Sequence, residues 1–122
     1  MDQLLKQGIK HFNRREFFSA HEVWEQFYQT TDAENKAFIE GLVQLAAAFR
    51  LYQDFAEIKG PVRMIYQALI RMENYQPEFL QVRVKELHQA AESWARAAEA
   101  QDQTVALPAL PQIAIKRLGL FS

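Results

Sequence analysis

The chain has 122 residues, 49% apolar and 24% charged, with 14 basic side chains against 15 acidic ones and a net charge of −1. Such a balance is that of an ordinary globule and not of a disordered polyelectrolyte. It also argues against nucleic acid as a partner, which calls for a basic excess or stripe. Cysteine is absent, so disulfides and thiol chemistry are excluded.

The N-terminal stretch MDQLLKQGIK lacks the basic start and long apolar run of a signal peptide. The most apolar stretch, FIEGLVQLAAAF, is too short and too interrupted to span a bilayer. The expectation is a soluble cytoplasmic protein with no membrane partner. The length fits one domain over residues 1–122. Its helical core spans about 2–100, and a proline-punctuated segment follows over 101–122.

Leu4, Leu5, Gly8, Ile9 and Phe12 fall at helical spacing and predict a first helix over residues 2–12, with Asp2 as its cap. Asn13 and Glu16 have the spacing of a capping box, as do Thr31 and Glu34. They predict a second helix over about 14–29 and a third running to about Glu57. The third helix is apolar around most of its circumference, which predicts a buried helix at the centre of the fold. Gly60 and Pro61 then read as a helix end and a new first turn, with a fourth helix to about Asn74. Pro77 stands near the start of a fifth, whose seam is Leu80, Val84, Leu87, Ala91, Trp94 and Ala98. No strand-like alternation stands out. Ile113, Ile115 and Leu118 suggest a short last helix or an extended tail. The fold class is all-α, a compact bundle of five or six helices around the third.

The stretch SAHEVWEQFY carries the chemistry-bearing residues. At roughly 100° per residue, His21 lies within about 40° of Phe17, inside the apolar stripe, and Glu25 lies beside it. Glu22 turns toward the polar face. Two readings follow for His21 and Glu25. They form a hydrogen-bonded knot in the core, or they are two of the ligands of a divalent metal, with Glu22 as a base. The segment HEVWE departs from H-E-x-x-H in having Glu25 at the second histidine position, so one helix supplies only half a site. His11 and His88 each stand alone and read as surface histidines. Arg50, Arg63 and Arg71 sit in ordinary contexts, suited to pairing with carboxylates or to an anion.

Gly41 inside a helix costs about 1 kcal/mol relative to Ala, which predicts close approach of a bulky group. The reading is that Trp24 or a neighbour packs over Gly41 and brings Gln44 near His21 and Glu25. In the core-knot reading, His21→Ala costs about 1–3 kcal/mol through an unsatisfied Glu25.

The segments FNRREFFSAHEVWEQFY and FIEGLVQLAAAF together resemble the small all-helical family called domain of unknown function 309. The family pattern is a Phe, an aromatic, A-H-E-x-W-E and then G-L-I-Q-x-A-A. It falls here on Phe12, Phe17 and Phe18, Ala20-His21-Glu22, Trp24-Glu25, and Gly41-Leu42-Val43-Gln44 with Ala46-Ala47. The match is specific over residues 9–52. The resemblance implies a compact helical bundle and no particular activity. It singles out His21, Glu22, Trp24, Glu25 and Gln44 as a set. The leading expectation is a non-catalytic protein that needs no cofactor. The rivals are a metal-assisted hydrolase-like enzyme and a helical interaction module.

Overall fold

A computed structural model describes residues 1–100 and 106–116. Helix α1 spans Gln3–Asn13, and Asp2 caps it: its Oδ1 accepts from the Leu4 N–H at 2.7 Å and the Leu5 N–H at 3.4 Å. Leu5, Gly8, Ile9 and Phe12 form its buried stripe.

Helix α2 spans Phe17–Thr30 and so starts three residues after Arg14, where the sequence places it. The expected capping box does not form because both of its side chains have other partners. Asn13 bonds the backbone of Ile113, and the Glu16 carboxylate lies 2.9 Å from His11 Nδ1. Between the helices Arg15 adopts a φ of 65°. The N–H groups of residues 14–16 turn back onto the last carbonyls of α1. The α1–α2 corner is thus closed by backbone bonds.

Helix α3 spans Lys36–Phe55, behind a 3-10 turn at Ala33–Asn35. Here too the expected box is absent: Thr31 Oγ1 accepts instead from the Asn35 amide at 3.0 Å. The helix stops at a left-handed Ala56, φ 54°, whose N–H reaches the Tyr52 carbonyl. Gly60 therefore does not close α3. Together with Pro61 it lies in the first turn of α4, Lys59–Met72.

A hairpin follows that no alternation in the sequence signals. After a 3-10 turn at Glu73–Tyr75 come β1, Glu78–Phe79, and β2, Val82–Arg83, an antiparallel hairpin. Its two turn residues, Leu80 and Gln81, both have positive φ, 49° and 68°, the pattern whose twist suits a two-residue hairpin. Strands of two residues are too short to show an alternation. Helix α5 accordingly begins at Val84, not near Pro77, and runs to Ala100. Leu80 leaves the seam for the hairpin turn. Val84, Leu87, Ala91, Trp94 and Ala98 face the core, joined by Ala95.

The fold is thus an all-α bundle of five helices with one small hairpin among the described residues. In sequence order, α1 packs on α2, α2 on α3, α3 on α4 and α4 on α5. Helix α3 buries Phe38, Ile39, Gly41, Leu42, Leu45, Ala46, Ala48 and Phe49 between its two neighbours. An aromatic chain ties the layers together. Phe12 meets Phe17 edge-on at 5.1 Å and Phe49 at 6.0 Å, and Phe49 meets Trp94 at 5.3 Å between ring centroids. Each such ring contributes roughly 1.5–3 kcal/mol by burial. Residues 106–116 are extended, and Ile115 bridges antiparallel to Val82. Leu118 lies outside the described residues. No helix among the described residues is long and apolar enough to cross a membrane.

Candidate functional site

Within HEVWE, the residue held most tightly is Trp24, which is 0% exposed. Its indole Nε1–H donates to the Leu5 carbonyl at 3.3 Å. The ring lies on Gly8 of α1, where a Cβ would fall inside contact distance of Nε1, Cδ1 and Cε2. Trp24 is therefore seated on Gly8 and not, as the sequence reading has it, on Gly41. Gly41 faces the next helix along: a Cβ there would come within 2.6 Å of Met72 Cγ. Both glycines permit close helix approach, one for α1–α2 and the other for α3–α4.

Gln44 follows Gly41 toward α4. It donates to Gln67 Oε1 at 2.9 Å and accepts from Arg71 Nε at 3.1 Å, while Arg71 Nη1 lies 3.5 Å from Glu40. Its hydrogen bonds are thus with α4 and not with His21 or Glu25. Arg71 does pair with a carboxylate, one of the two roles its type suggests.

His21 Nε2 lies 3.6 Å from Glu25 Oε1, with the two side chains 33% and 56% exposed. Neither is in the core. The buried residues of α2 are Phe17, Ala20, Trp24 and Phe27, which centre the buried face at about 320° on the scale that has Phe17 at zero. His21 is then about 80° from that centre, on the rim. Phe17, from which the angle was measured, is one edge of the buried face, and that is why His21 falls outside it. Glu22 is exposed. Phe27 is buried and Tyr28 half-buried beneath Lys36, whose Nζ is 4.6 Å from the ring centroid. Among the described residues no three His, Cys, Asp or Glu side chains converge closely enough to hold a metal ion. Among the described residues the pair of His21 and Glu25 has no third ligand at hand.

The other histidines are placed differently from one another. His11 pairs with Glu16 across the α1–α2 corner and is not solitary. His88 is half-buried in a shallow cleft with Tyr66, Leu69, Ile70, Glu73 and Glu92.

A cleft of about 190 Å³ at the start of α2, between Arg15, Glu16, Phe18, Ser19, Arg50 and Asp54, was not visible in the sequence. Arg50 stacks on Phe18 at 4.6 Å. Its Nε lies 3.4 Å from Asp54 Oδ2, yet the geometry leaves that buried atom without a hydrogen bond. The two arginines are balanced by Glu16 and Asp54, so the cleft carries no excess charge. Arg15, in the corner, and Arg50, about four turns along α3, meet only through the packing of α2 on α3. Arg63 lines a second cleft with Ile58, Lys59, Val62, Tyr66 and Glu99.

In that second cleft the Tyr66 phenol is raised above its usual value. Partial burial is the largest cause, followed by the neighbouring Glu99 carboxylate, whose charge disfavours the phenolate. The neutral form is the favoured one, so ultraviolet titration is expected to show one tyrosine ionising above the ordinary range. Glu99→Gln should lower that transition; an unchanged titration would separate Tyr66 from Glu99.

The family model described as domain of unknown function (DUF309) matches residues 5–63. No curated protein and no solved structure matches the chain. The matched stretch runs from the first turn of α1 into the second turn of α4 and holds Gly8, His21, Glu22, Trp24, Glu25, Gly41 and Gln44. Across that stretch, through three helices and into a fourth, the chain resembles the DUF309 family.

Proposed function

We propose that this chain is a non-catalytic helical domain in which HEVWE serves to lock α2 onto α1. The observation that carries this reading is the division of labour inside the segment. Trp24 is fully enclosed on Gly8 and bonded to Leu5, whereas His21 and Glu25 pair with each other at the rim. An acid/base or metal site needs its polar groups gathered around a shielded space. The described clefts are lined by other residues. The cysteine-free composition supports the cytoplasm as its compartment. The even charge balance supports partners other than nucleic acid. One folding unit, with residues 106–116 docked on the helices, completes the reading.

An exposed ion pair contributes about 0–1 kcal/mol. His21→Ala and Glu25→Ala are therefore each expected to lower stability by less than about 1 kcal/mol in urea unfolding, well below the effect of a buried knot. The decisive measurement is metal content of chelator-free protein, with calorimetric titration of zinc, manganese and iron(II). The expected result is no stoichiometric binding. About one metal per chain, lost in His21→Ala while the fold persists, would replace this reading by the metal-assisted one.

A further inference from the structure

Residues 106–116 lie across the α1–α2 corner and the hairpin, and their attachment is concentrated in a few atoms. Asn13 Nδ2 donates to the Ile113 carbonyl at 3.0 Å, and Asn13 Oδ1 accepts from the Ile113 N–H at 2.7 Å. The Arg83 N–H donates to the Ala114 carbonyl at 2.9 Å, and the Lys116 N–H donates to the Gln81 carbonyl at 2.7 Å. Lys116 Nζ lies 3.4 Å from Glu78. Pro111 and Ile113 are the buried residues of the segment, with Leu107 and Leu110 half-buried.

All four hydrogen bonds read main chain, and two side chains fill apolar sockets. A sheet edge takes an extended peptide in this way, by ladder bonds for affinity and pockets for selectivity. Among the described residues, every buried core hydrophobic other than Ile113 comes from residues 5–98. Removal of the segment opens the two sockets of Pro111 and Ile113 and leaves the Arg83 N–H and Gln81 carbonyl without these partners at the edge of β2. An edge in that state is a template for another strand.

We propose that this seat exchanges its occupant: residues 106–116 leave it as a unit, and it takes the same residues of a second copy of the chain. The occupant is a second copy because the seat is already shaped to this sequence. It offers an amide clamp for the backbone of Ile113, a socket for its side chain, and a carboxylate opposite Lys116. The bonds broken in one copy are remade in the other, which makes exchange of an identical element a low-cost route to dimers.

The test uses a synthetic peptide of residues 106–116, ALPALPQIAIK, with an N-terminal fluorophore, titrated with the full-length chain. Saturable anisotropy, reversed by unlabelled peptide, is expected. Ile113→Asp in the peptide should weaken binding about tenfold or more. Light scattering on the unmodified chain should show a dimer fraction that grows toward millimolar concentration. Native-state hydrogen exchange gives a reading free of any variant. The amides of Ile113, Lys116 and Arg83 should exchange through an opening that spares Leu42 and Leu45 of α3. Equal protection of those two groups of amides would mean that the segment leaves only on global unfolding, and would overturn the proposal. Failure of the peptide to bind, equal binding of its Ile113→Asp form, or a chain that stays monomeric throughout would overturn it as well.

Discussion

Trp24→Ala is expected to lower the stability of the fold by about 3–5 kcal/mol, the range for deleting a large ring from a packed core. The side chain is fully enclosed, and its ring lies 5.8 Å from that of Phe12, in the same aromatic chain that reaches Phe49 and Trp94. Substitution removes the transfer free energy of the indole and leaves a cavity beneath α1. It also deprives the Leu5 carbonyl of the indole N–H that it accepts. Trp24→Phe keeps most of the apolar area but not that donor, and a loss of about 1–3 kcal/mol is expected. Urea unfolding followed by far-ultraviolet circular dichroism reads both variants. A midpoint for Trp24→Ala indistinguishable from that of the unmodified chain would remove Trp24 from its assigned seat.

Gly8→Ala should be destabilising where helix propensity alone says otherwise. In an unconstrained helix interior the change gains about 1 kcal/mol. At Gly8 the new methyl enters the space of the indole ring, whose atoms are rigid and enclosed. Overpacking of that kind costs about 1–3 kcal/mol and outweighs the gain when the ring cannot retreat. The cause can be isolated by a double-mutant cycle. In a Trp24→Leu background the methyl has room, so Gly8→Ala should become neutral or stabilising, with a coupling of about 1–3 kcal/mol between the two sites. Additive effects would show that Gly8 and Trp24 act independently. Gly41→Ala is the parallel case in α3. Its nearest obstacle is Cγ of Met72, a fully buried side chain that can move this atom by one torsion only, so a loss is expected there too.

These two substitutions also show how a motif can mislead. Within HEVWE the histidine and glutamates suggest chemistry, yet the residue with the largest expected effect is the tryptophan between them. Its partner glycine stands 16 positions earlier, in the preceding helix, where a lone Gly8 inside an amphipathic stripe is the only trace. A helix-interior glycine calls for close approach of a bulky group, and the chain has one in α1 and one in α3. The physical rule was sound for both glycines, since each lies against a bulky side chain. Choice of partner was not available from spacing, because a glycine specifies proximity without saying which helix comes near.

What the sequence determined by itself is what repeats locally. Leu5, Gly8, Ile9 and Phe12, and Val84, Leu87, Ala91, Trp94 and Ala98, mark buried faces because apolar side chains at helical spacing fall on one side wherever the helix docks. Asp2 caps α1 because its acceptor meets N–H groups only two and three residues away. The all-α class follows from several such stripes with few breaks. The tertiary structure alone decided how far each buried face extends and which element lies opposite it. It put His21 on the rim of α2, turned Gln44 to Arg71 and Gln67, and closed a hairpin from strands of two residues. It also drew Asn13 away from its own helix end to a backbone 100 residues later. A side chain with several available partners takes the one that packing brings within about 3 Å, and no local pattern contains that distance.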